Sequence, residues 1–222
     1  MPTRSPSRPG PDRRFCAAPA DVLAPRLLGM RLVRVLASGE RLAGEIVEVE
    51  AYLGAPDRAC HTFGGRRTER NEVMYAPAGS AYVYFTYGMH HCMNIVCGGK
   101  WARDGDAGGG VGQAVLVRAL HPLDGLDAMR RHRSARRARG ARPVREEDLC
   151  SGPARLCQAL AIDGALNGTD MLARGALMLE PGEPGPPRRI VRTGRIGVES
   201  AGAWARRRLR WYVKGDPHVS RP

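Results

Sequence analysis

The chain has 222 residues, enough for one or two domains with a sizeable core that needs neither disulfides nor a structural metal. Its 35 lysines and arginines against 22 aspartates and glutamates give a formal charge of +13, which favours a polyanionic partner. The N-terminus lacks a secretory apolar segment and no run approaches the ~18 to 20 apolar residues of a membrane span, so we expect a soluble, cytoplasmic protein without membrane contact.

The first part of the chain has the composition of a disordered basic tail. Residues 1 to about 15 are mostly proline, arginine and serine, with almost nothing apolar. We expect order to begin near Pro19. The sequence therefore predicts a tail over residues 1–18 and a single domain over residues 19–222.

A short helix is predicted next, over residues 21–28. Asp21 is a candidate N-cap, Leu23 and Leu27 lie four apart on one face, and Gly29 would close the helix. Residues 30–37 and 42–52 then form a predicted hairpin around a turn at residues 38–40.

The second strand of that hairpin carries candidate chemistry. Alternation puts Val47, Val49 and Ala51 on a core face and Glu48, Glu50 and Tyr52 on the opposite face. There, a base could stack on Tyr52 while Glu50 reaches its sugar. The alternative is a half-exposed strand whose glutamates face water.

Residues 61–71 form a polar, glycine-containing loop. Its arginines, Arg66 and Arg70 among them, could hold phosphates. The alternative is a surface connection without a binding role.

Residues 81–97 predict a second hairpin. Tyr82 and Tyr84 share one face, Gly88 supplies a positive φ for the turn, and Tyr87 lies at the tip. Aromatic side chains in this arrangement on a basic protein indicate a surface that handles bases. The alternative is an ordinary amphipathic hairpin whose tyrosines pack and hydrogen-bond.

The six cysteines indicate neither a metal site nor a disulfide framework. No Cys-x-x-Cys pair occurs and the zinc-deaminase signature is missing, although His90, His91, Cys92 and Cys97 lie close together in sequence. In a reducing compartment we expect the cysteines to be small buried apolar residues.

Arg118 lies in a run of apolar residues that looks buried on both faces. A buried guanidinium needs a partner, because an unpaired buried charge costs several kcal/mol. Glu50 is a candidate partner. The alternative is that Arg118 marks a sheet edge and points outward.

Two further helices and two loops complete the prediction. A helix from Leu126 extends through residues 134–139, where we expect a solvated basic face, the alternative being contact with bases. A second opens with Ser151 as N-cap and Pro153 in its first turn, and turns Leu156 and Leu160 inward. Residues 104–112 and 181–187 are predicted loops.

Taken together, the motifs closely resemble those of the alkyladenine (3-methyladenine) DNA glycosylases, from about residue 22 to 220. They are Glu48-Val49-Glu50-Ala51-Tyr52-Leu53-Gly54, His61, Gly64-Gly65-Arg66, Arg70-Asn71, Tyr82-Val83-Tyr84, Tyr87-Gly88-Met89, Cys92-Met93-Asn94, Val117-Arg118-Ala119-Leu120 and Ser151-Gly152-Pro153. Their number and order make the resemblance specific. Departures are Glu69, where the family often has proline, His90 and His91, where some members have aromatic residues, and a longer connection over residues 98–113.

The resemblance implies an α+β fold, a single domain on a curved antiparallel β-sheet with a protruding β-hairpin and surrounding helices. It implies a monomeric base-excision-repair enzyme without a cofactor. Such an enzyme flips alkylated or deaminated purines from double-stranded DNA and hydrolyses the N-glycosidic bond to leave an abasic site. A monofunctional enzyme is expected, because neither Lys100 nor Lys214, the only lysines, belongs to a catalytic motif.

The resemblance also implies residue roles. Glu50 would be the general base that activates water, with Arg118 holding that water and the carboxylate. Tyr52 would stack on one side of the flipped base, opposite His61 and Tyr84. The remaining implied contacts are Asn94 against the purine 2-position, Tyr87 in the minor groove, and Arg66, Arg70, Met89 and Lys214 as candidates for the DNA backbone.

A different class of function remains open from the sequence. A basic, non-catalytic protein could keep the fold and the tip tyrosine while it bends or coats DNA, and it would bind without releasing a base. An RNA-directed role is disfavoured because no RNP1-type aromatic motif is present.

Overall fold

A computed structural model describes residues 10–98, 111–135, 142–183 and 187–222. Several predictions lie outside these residues. They concern residues 1–9 of the basic tail, the extension of the helix beyond residue 135, Lys100, and residues 99–110 and 184–186 of the two predicted connections.

Eight strands and four α-helices form within the described residues. The strands are β1 (Arg31–Val35), β2 (Arg41–Tyr52), β3 (Ala81–Thr86), β4 (His90–Cys97), β5 (Gln113–Asp124), β6 (Leu177–Glu180), β7 (Ile190–Thr193) and β8 (Arg210–Val213). The helices are α1 (Arg13–Cys16), α2 (Ala20–Leu27), α3 (Leu126–Ser134) and α4 (Pro153–Ala159). Short 3₁₀ helices cover Phe63–Gly65, Glu72–Tyr75, Glu146–Asp148, Gly164–Leu166 and Glu199–Arg206.

All strand pairs are antiparallel, and the main order is β3-β4-β5-β2-β1-β6. Strand β8 also pairs with β2, and β7 pairs with β8. Both predicted hairpins, β1–β2 and β3–β4, are therefore confirmed. The fold is α+β, a single domain on an open, curved antiparallel sheet, as expected from the sequence.

Three irregularities interrupt the long β2–β5 pair, one between Ala43 and Gly44 and two near Val47. Val47 has no partner between the pairs Ile46↔Leu120 and Glu48↔Ala119, and Arg118 has none before the pair Val49↔Val117. Bulges of this kind bend a strand and re-aim its side chains. The predicted strict alternation is accordingly wrong at Val47, which packs with Ala119 and Val219 outside the main core.

The main core lies where α2 and α4 cover the sheet. Leu23, Leu27 and Leu156 from these helices join Ile46 and Val49 of β2 in one buried cluster. All six cysteines are buried and free, which confirms their predicted role as apolar residues. Among the described residues, no helix is both long enough and apolar enough to span a membrane.

Order begins earlier than predicted. The carboxylate of Asp12 accepts the backbone N–H of Phe15 and so caps α1, whose Cys16 is fully buried. Arg13 forms an ion pair with Asp170 at 2.8 Å. Composition alone missed this helix, because its contacts are with residues distant in sequence.

Two predicted helix caps are wrong. Helix α2 begins after Pro19, so Asp21 lies in its first turn, where a negative charge still favours the helix dipole. Gly152 is the N-cap of α4, and Pro153 follows it at the first helical position. The Ser151 hydroxyl instead accepts a hydrogen bond from Arg155 at 2.9 Å.

Candidate active site

An open cavity of about 170 Å³ lies between β2, β3 and β4 and two loops. It is lined by Tyr52, Ala59, Cys60, His61, Met74, Tyr82, Tyr84, Thr86, Tyr87, Asn94, Ala114, Gly197 and Val198. The structure thus brings together five residues predicted from sequence. These are Tyr52, His61, Tyr84, Tyr87 and Asn94.

Glu50 lies beside this cavity but does not line it. Its side chain is fully buried, and its two oxygens accept hydrogen bonds from the Tyr52 hydroxyl at 2.9 Å and the Ile196 backbone N–H at 2.8 Å. Arg118 Nη1 lies 3.2 Å from Glu50 Oε1. The reading of Glu50 as a solvated strand residue is therefore wrong.

Burial dominates the electrostatics of Glu50. It raises the pKa of the carboxyl above its ordinary value, and the charge of Arg118 and the hydrogen bond from Ile196 oppose this shift only in part. A carboxylate with a raised pKa binds a proton more readily than an ordinary one. The structure thus holds the Glu50 carboxylate in a fixed orientation with an increased affinity for a proton.

Arg118 joins Glu50 to a second buried carboxylate, Glu48. Its Nε donates to Glu48 Oε1 at 3.1 Å, and Arg210 Nη1 donates to the same oxygen at 2.6 Å. The backbone N–H of Ser220 donates to the other Glu48 oxygen at 2.7 Å. Two carboxylates thus balance two guanidinium groups, and the outward-pointing alternative for Arg118 is wrong because only 7% of the residue is exposed.

Tyr52 is fixed from both ends. Its hydroxyl donates to Glu50, and the Arg195 guanidinium lies 4.8 Å from its ring centroid. Arg195 itself forms a bidentate pair with Asp57, at 2.6 and 2.8 Å, in which both side chains are fully buried. One face of Tyr52 is thus in contact with a cation, and the residue lines the cavity.

His61, Tyr82 and Tyr84 form an aromatic wall. The His61 ring lies 4.7 Å from the Tyr84 ring in an edge-on arrangement, and its Nδ1 lies 2.8 Å from the Tyr82 hydroxyl. Burial lowers the pKa of His61, and the positive charge of Arg70 lowers it further. The imidazole is therefore neutral near pH 7 and can stack on a base without repelling a cationic one.

Asn94 lines the cavity from β4, the strand between β3 and β5. It is 4% exposed, and its amide donates to the Tyr82 carbonyl at 3.1 Å. This bond fixes the amide plane. Asn94 thereby presents a rigid polar group beside apolar and aromatic walls.

The tip of the β3–β4 hairpin carries exposed apolar side chains. Tyr87 is 84% exposed with φ +51°, and Phe85 and Met89 are about half exposed. Tyr87 also lines the cavity. It therefore stands at the cavity mouth, where it projects into solvent.

Basic residues surround one side of the cavity. A second concavity shares His61 with the first and is lined by Arg58, Arg66 and Arg70. Arg70 also donates to the Phe85 carbonyl at 3.1 Å, which links the loop to the hairpin. Lys214 is exposed just after β8 and does not line either concavity.

Sequence reasoning missed several residues that hold the site. Glu48, Arg210 and Ser220 support Arg118, Asp57 and Arg195 support Tyr52, and Ile196 donates to Glu50. The shared parity of Glu48 and Glu50 was a usable signal for the first group. The pairing of Asp57 with Arg195 spans 138 residues and left no local signal.

The sequence model of the family described as methylpurine-DNA glycosylase (MPG) matches residues 14–217. Over 209 residues the chain is 47% identical to the human protein named DNA-3-methyladenine glycosylase, covering 93% of this chain and 66% of that protein. It is 45% identical to the Mus musculus protein of the same name over 216 residues, 96% of this chain and 61% of that protein. A Burkholderia lata protein is 43% identical over 216 residues, 95% of this chain and 90% of the relative.

The chain thus spans somewhat less than two thirds of each of these mammalian relatives, 66% of the human and 61% of the mouse protein. The matched part includes every residue of the cavity and of the buried carboxylate network up to residue 217. Only Ser220 of that network lies beyond the match to the family model.

Proposed function

The chain belongs to the methylpurine-DNA glycosylase family, and on that premise we propose that it is a DNA glycosylase of base excision repair. Its substrates are alkylated purines, and deaminated purines as well, in double-stranded DNA. It acts as a monomer without a cofactor. The observation that carries the proposal is the buried Glu50 carboxylate, held beside a cavity with aromatic walls.

The position of Glu50 determines how the N-glycosidic bond is hydrolysed. A water molecule next to the carboxylate gives a proton to Glu50, and its oxygen attacks the anomeric carbon of the flipped nucleotide. The N-glycosidic bond breaks and its electron pair leaves with the purine. The carboxylate also stabilises the oxocarbenium-like charge on the sugar, and Arg118 keeps the carboxylate in position.

The aromatic walls of the cavity explain why alkylated purines are preferred over normal bases. A cationic alkylated purine is attracted to the ring faces of Tyr52 and Tyr84 by ~0.5 to 2 kcal/mol, and it is already a good leaving group. A neutral imidazole at His61 adds no competing charge. Normal bases lack both advantages and are released slowly.

DNA contact centres on the hairpin tip. Tyr87 enters the minor groove and fills the gap left by the flipped nucleotide, while Met89, Arg66, Arg70 and Lys214 contact the backbone on either side. The exposure of Tyr87 and Met89 and the basic concavity beside His61 support this arrangement.

Replacement of Tyr87 by alanine is expected to weaken binding of a lesion duplex by ~1 to 3 kcal/mol, the range of one base-aromatic contact. The side chain is 84% exposed, so the melting temperature is expected to stay the same. Fluorescence anisotropy measures the affinity, with Val22→Ala in α2 as a control that also removes exposed apolar surface. A fall in stability without loss of affinity would make Tyr87 a packing residue instead.

Asn94→Ser is expected to raise the release of undamaged guanine relative to a lesion. The smaller side chain leaves room for the exocyclic amino group at the purine 2-position, which the rigid Asn94 amide opposes. Release of both bases is measured by chromatography. Asn167→Ser, the same change at an exposed residue outside the cavity, controls for disturbance of β3, because its side chain accepts the Val83 backbone N–H at 3.0 Å. An equal fall in both rates for Asn94→Ser would remove Asn94 from selection.

The raised pKa of Glu50 predicts the pH dependence of the reaction. The base works only when it is deprotonated, so single-turnover release of 7-methylguanine should fall with decreasing pH through a midpoint above 4.5, the ordinary value for this carboxyl. The protein is present at a saturating concentration, so that binding of the duplex does not affect the measured rate of base release. The Glu50→Gln variant is expected to lack this acid limb, and a midpoint at or below the ordinary value would contradict the assignment.

The range of lesions is tested with duplexes that each contain one 3-methyladenine, 7-methylguanine, hypoxanthine or ethenoadenine, and with an undamaged duplex. We expect free base from the alkylated purines first, with an abasic site as the product. Borohydride should trap no covalent adduct, because water is the nucleophile. Stoichiometric trapping, or release of undamaged bases at the same rate as lesions, would contradict the proposal.

A further inference from the structure

We propose that His121, Asp216 and His218 form a binding site for a divalent transition-metal ion of the zinc class, separate from the cavity. Each residue offers one ligand atom, and these atoms all lie within 4.8 Å of one another. The set of two imidazoles and one carboxylate is typical of zinc sites that keep a coordination position open for water. The proposal does not depend on the proposed glycosylase function.

The strongest observation is an unpartnered nitrogen. His218 is 3% exposed, and its buried Nδ1 has no hydrogen-bond partner among the residues that the structure describes. A buried polar atom of this kind costs free energy unless something satisfies it. A metal ion that the two neighbouring side chains help to hold would do so.

The geometry of the other two ligands agrees with a shared ion. His121 Nδ1 lies 3.0 Å from Asp216 Oδ2, and the two imidazole rings are 4.4 Å apart. Ligand atoms on a tetrahedral ion with bonds of about 2.0 to 2.1 Å lie about 3.3 Å apart. Side-chain adjustments of at most about 1.5 Å therefore bring the three atoms into coordination range.

Charge around the site also favours a cation, even though the whole chain carries +13. Besides Asp216, the charges of Glu146 and Glu147 reach His218, and Glu146 is also paired with Arg130 at 2.9 Å. The Asp216 carboxylate is further oriented by the His218 backbone N–H, which donates to it at 2.9 Å. The His121 side chain is 42% exposed, which leaves the ion a path from solvent.

The site would hold the segment that follows β8 against the sheet. His121 belongs to β5, and the other two ligands follow β8. Two residues after His218, the backbone of Ser220 donates to the buried carboxylate of Glu48. An ion bound here therefore stabilises the segment that completes the network behind the candidate active site.

This proposal changes the expectation that the protein binds no metal. That expectation rested on the absence of cysteine motifs, and His121 and Asp216 are 95 residues apart in sequence, so no local spacing could indicate them. Their proximity comes from the pairing of both β5 and β8 with β2.

The test is equilibrium dialysis of the untagged, metal-free full chain against Zn²⁺, with thermal unfolding of the same samples. We expect one Zn²⁺ per chain and a rise in melting temperature of about 5 to 10 °C at free Zn²⁺ near 100 times the dissociation constant. Co²⁺ in place of Zn²⁺ should give visible bands of nitrogen and oxygen coordination without a thiolate charge-transfer band.

Asp216→Asn keeps the shape of the side chain, and His121→Ala changes a partly exposed residue, so both variants are expected to fold. Each should lose the bound ion and the rise in melting temperature. His90→Ala, a partly exposed histidine outside the cluster, should keep both. Absence of binding by the unmutated chain, equal binding by the two variants, or a thiolate band with Co²⁺ would each overturn the proposal.

Discussion

Glu50→Gln is expected to lower single-turnover base release by ~10² to 10⁴-fold while lesion binding survives. Glutamine has nearly the same shape and can still meet the Ile196 N–H and the Tyr52 hydroxyl. A neutral amide cannot take a proton from water, and it cannot stabilise positive charge on the sugar. The chemical step is therefore lost without loss of the cavity.

The same Glu50→Gln change should not lower the stability of the fold, although it lowers the rate of base release. A carboxyl whose pKa is raised by folding stabilises the fold at low pH, and that contribution disappears as the pH rises through the raised value. Above the raised pKa, the ionised Glu50 is thus a net cost to folding despite Arg118. The melting temperature of Glu50→Gln should equal or exceed that of the unmutated protein.

Glu45→Gln is the matched control, because it is the same change on the same strand but outside the cavity, in a partly exposed ion pair with Arg188. It is expected to leave base release unchanged. A folded Glu50→Gln protein that releases base within about tenfold of the unmutated rate would remove Glu50 from the mechanism.

Arg118→Met is expected to destabilise the fold by ~3 to 5 kcal/mol, a fall in melting temperature of about 6 to 20 °C. The change leaves Glu48 and Glu50 buried with Arg210 as the remaining guanidinium of the network. Burial already raises the pKa of Glu50, and loss of the Arg118 charge should raise it further. The acid limb of base release should move to higher pH.

Arg26→Met, at an exposed arginine of α2, is the control and should change stability by less than ~0.5 kcal/mol. The loss at Arg118 should also be smaller when Glu50 is already glutamine, because one of the two buried carboxylates is then neutral. A melting temperature unchanged by Arg118→Met, or an equal loss in both backgrounds, would show that the ion pairs do not couple these residues.

Local pattern was sufficient for the elements that present the site. Alternation and Gly88 predicted the β3–β4 hairpin, and the exposed position of Tyr87 follows from its place in the turn. The same reasoning offered Glu50 as the partner of Arg118, and the two side chains are in contact. These features depend on residues close in sequence or on the need to pair a buried charge.

The rest depends on long-range packing. The bulge at Val47 arises from the register between β2 and β5, so strict alternation misplaced that side chain. Arg210 meets Glu48 across 162 residues. Burial of Glu50, which sets its pKa, results from this assembly of distant segments and could not be read from the strand itself.

The central claim is tested most directly by following one duplex with a single 7-methylguanine through a single turnover with the unmutated protein. Free base is measured by chromatography, and abasic sites are measured in the same samples by strand cleavage in alkali. The account predicts that both products appear with the same time course and in equal amounts. The protein is then recovered without covalently attached DNA. Tight binding of the lesion duplex with no release of base would contradict it and would identify a DNA-binding protein without glycosylase activity.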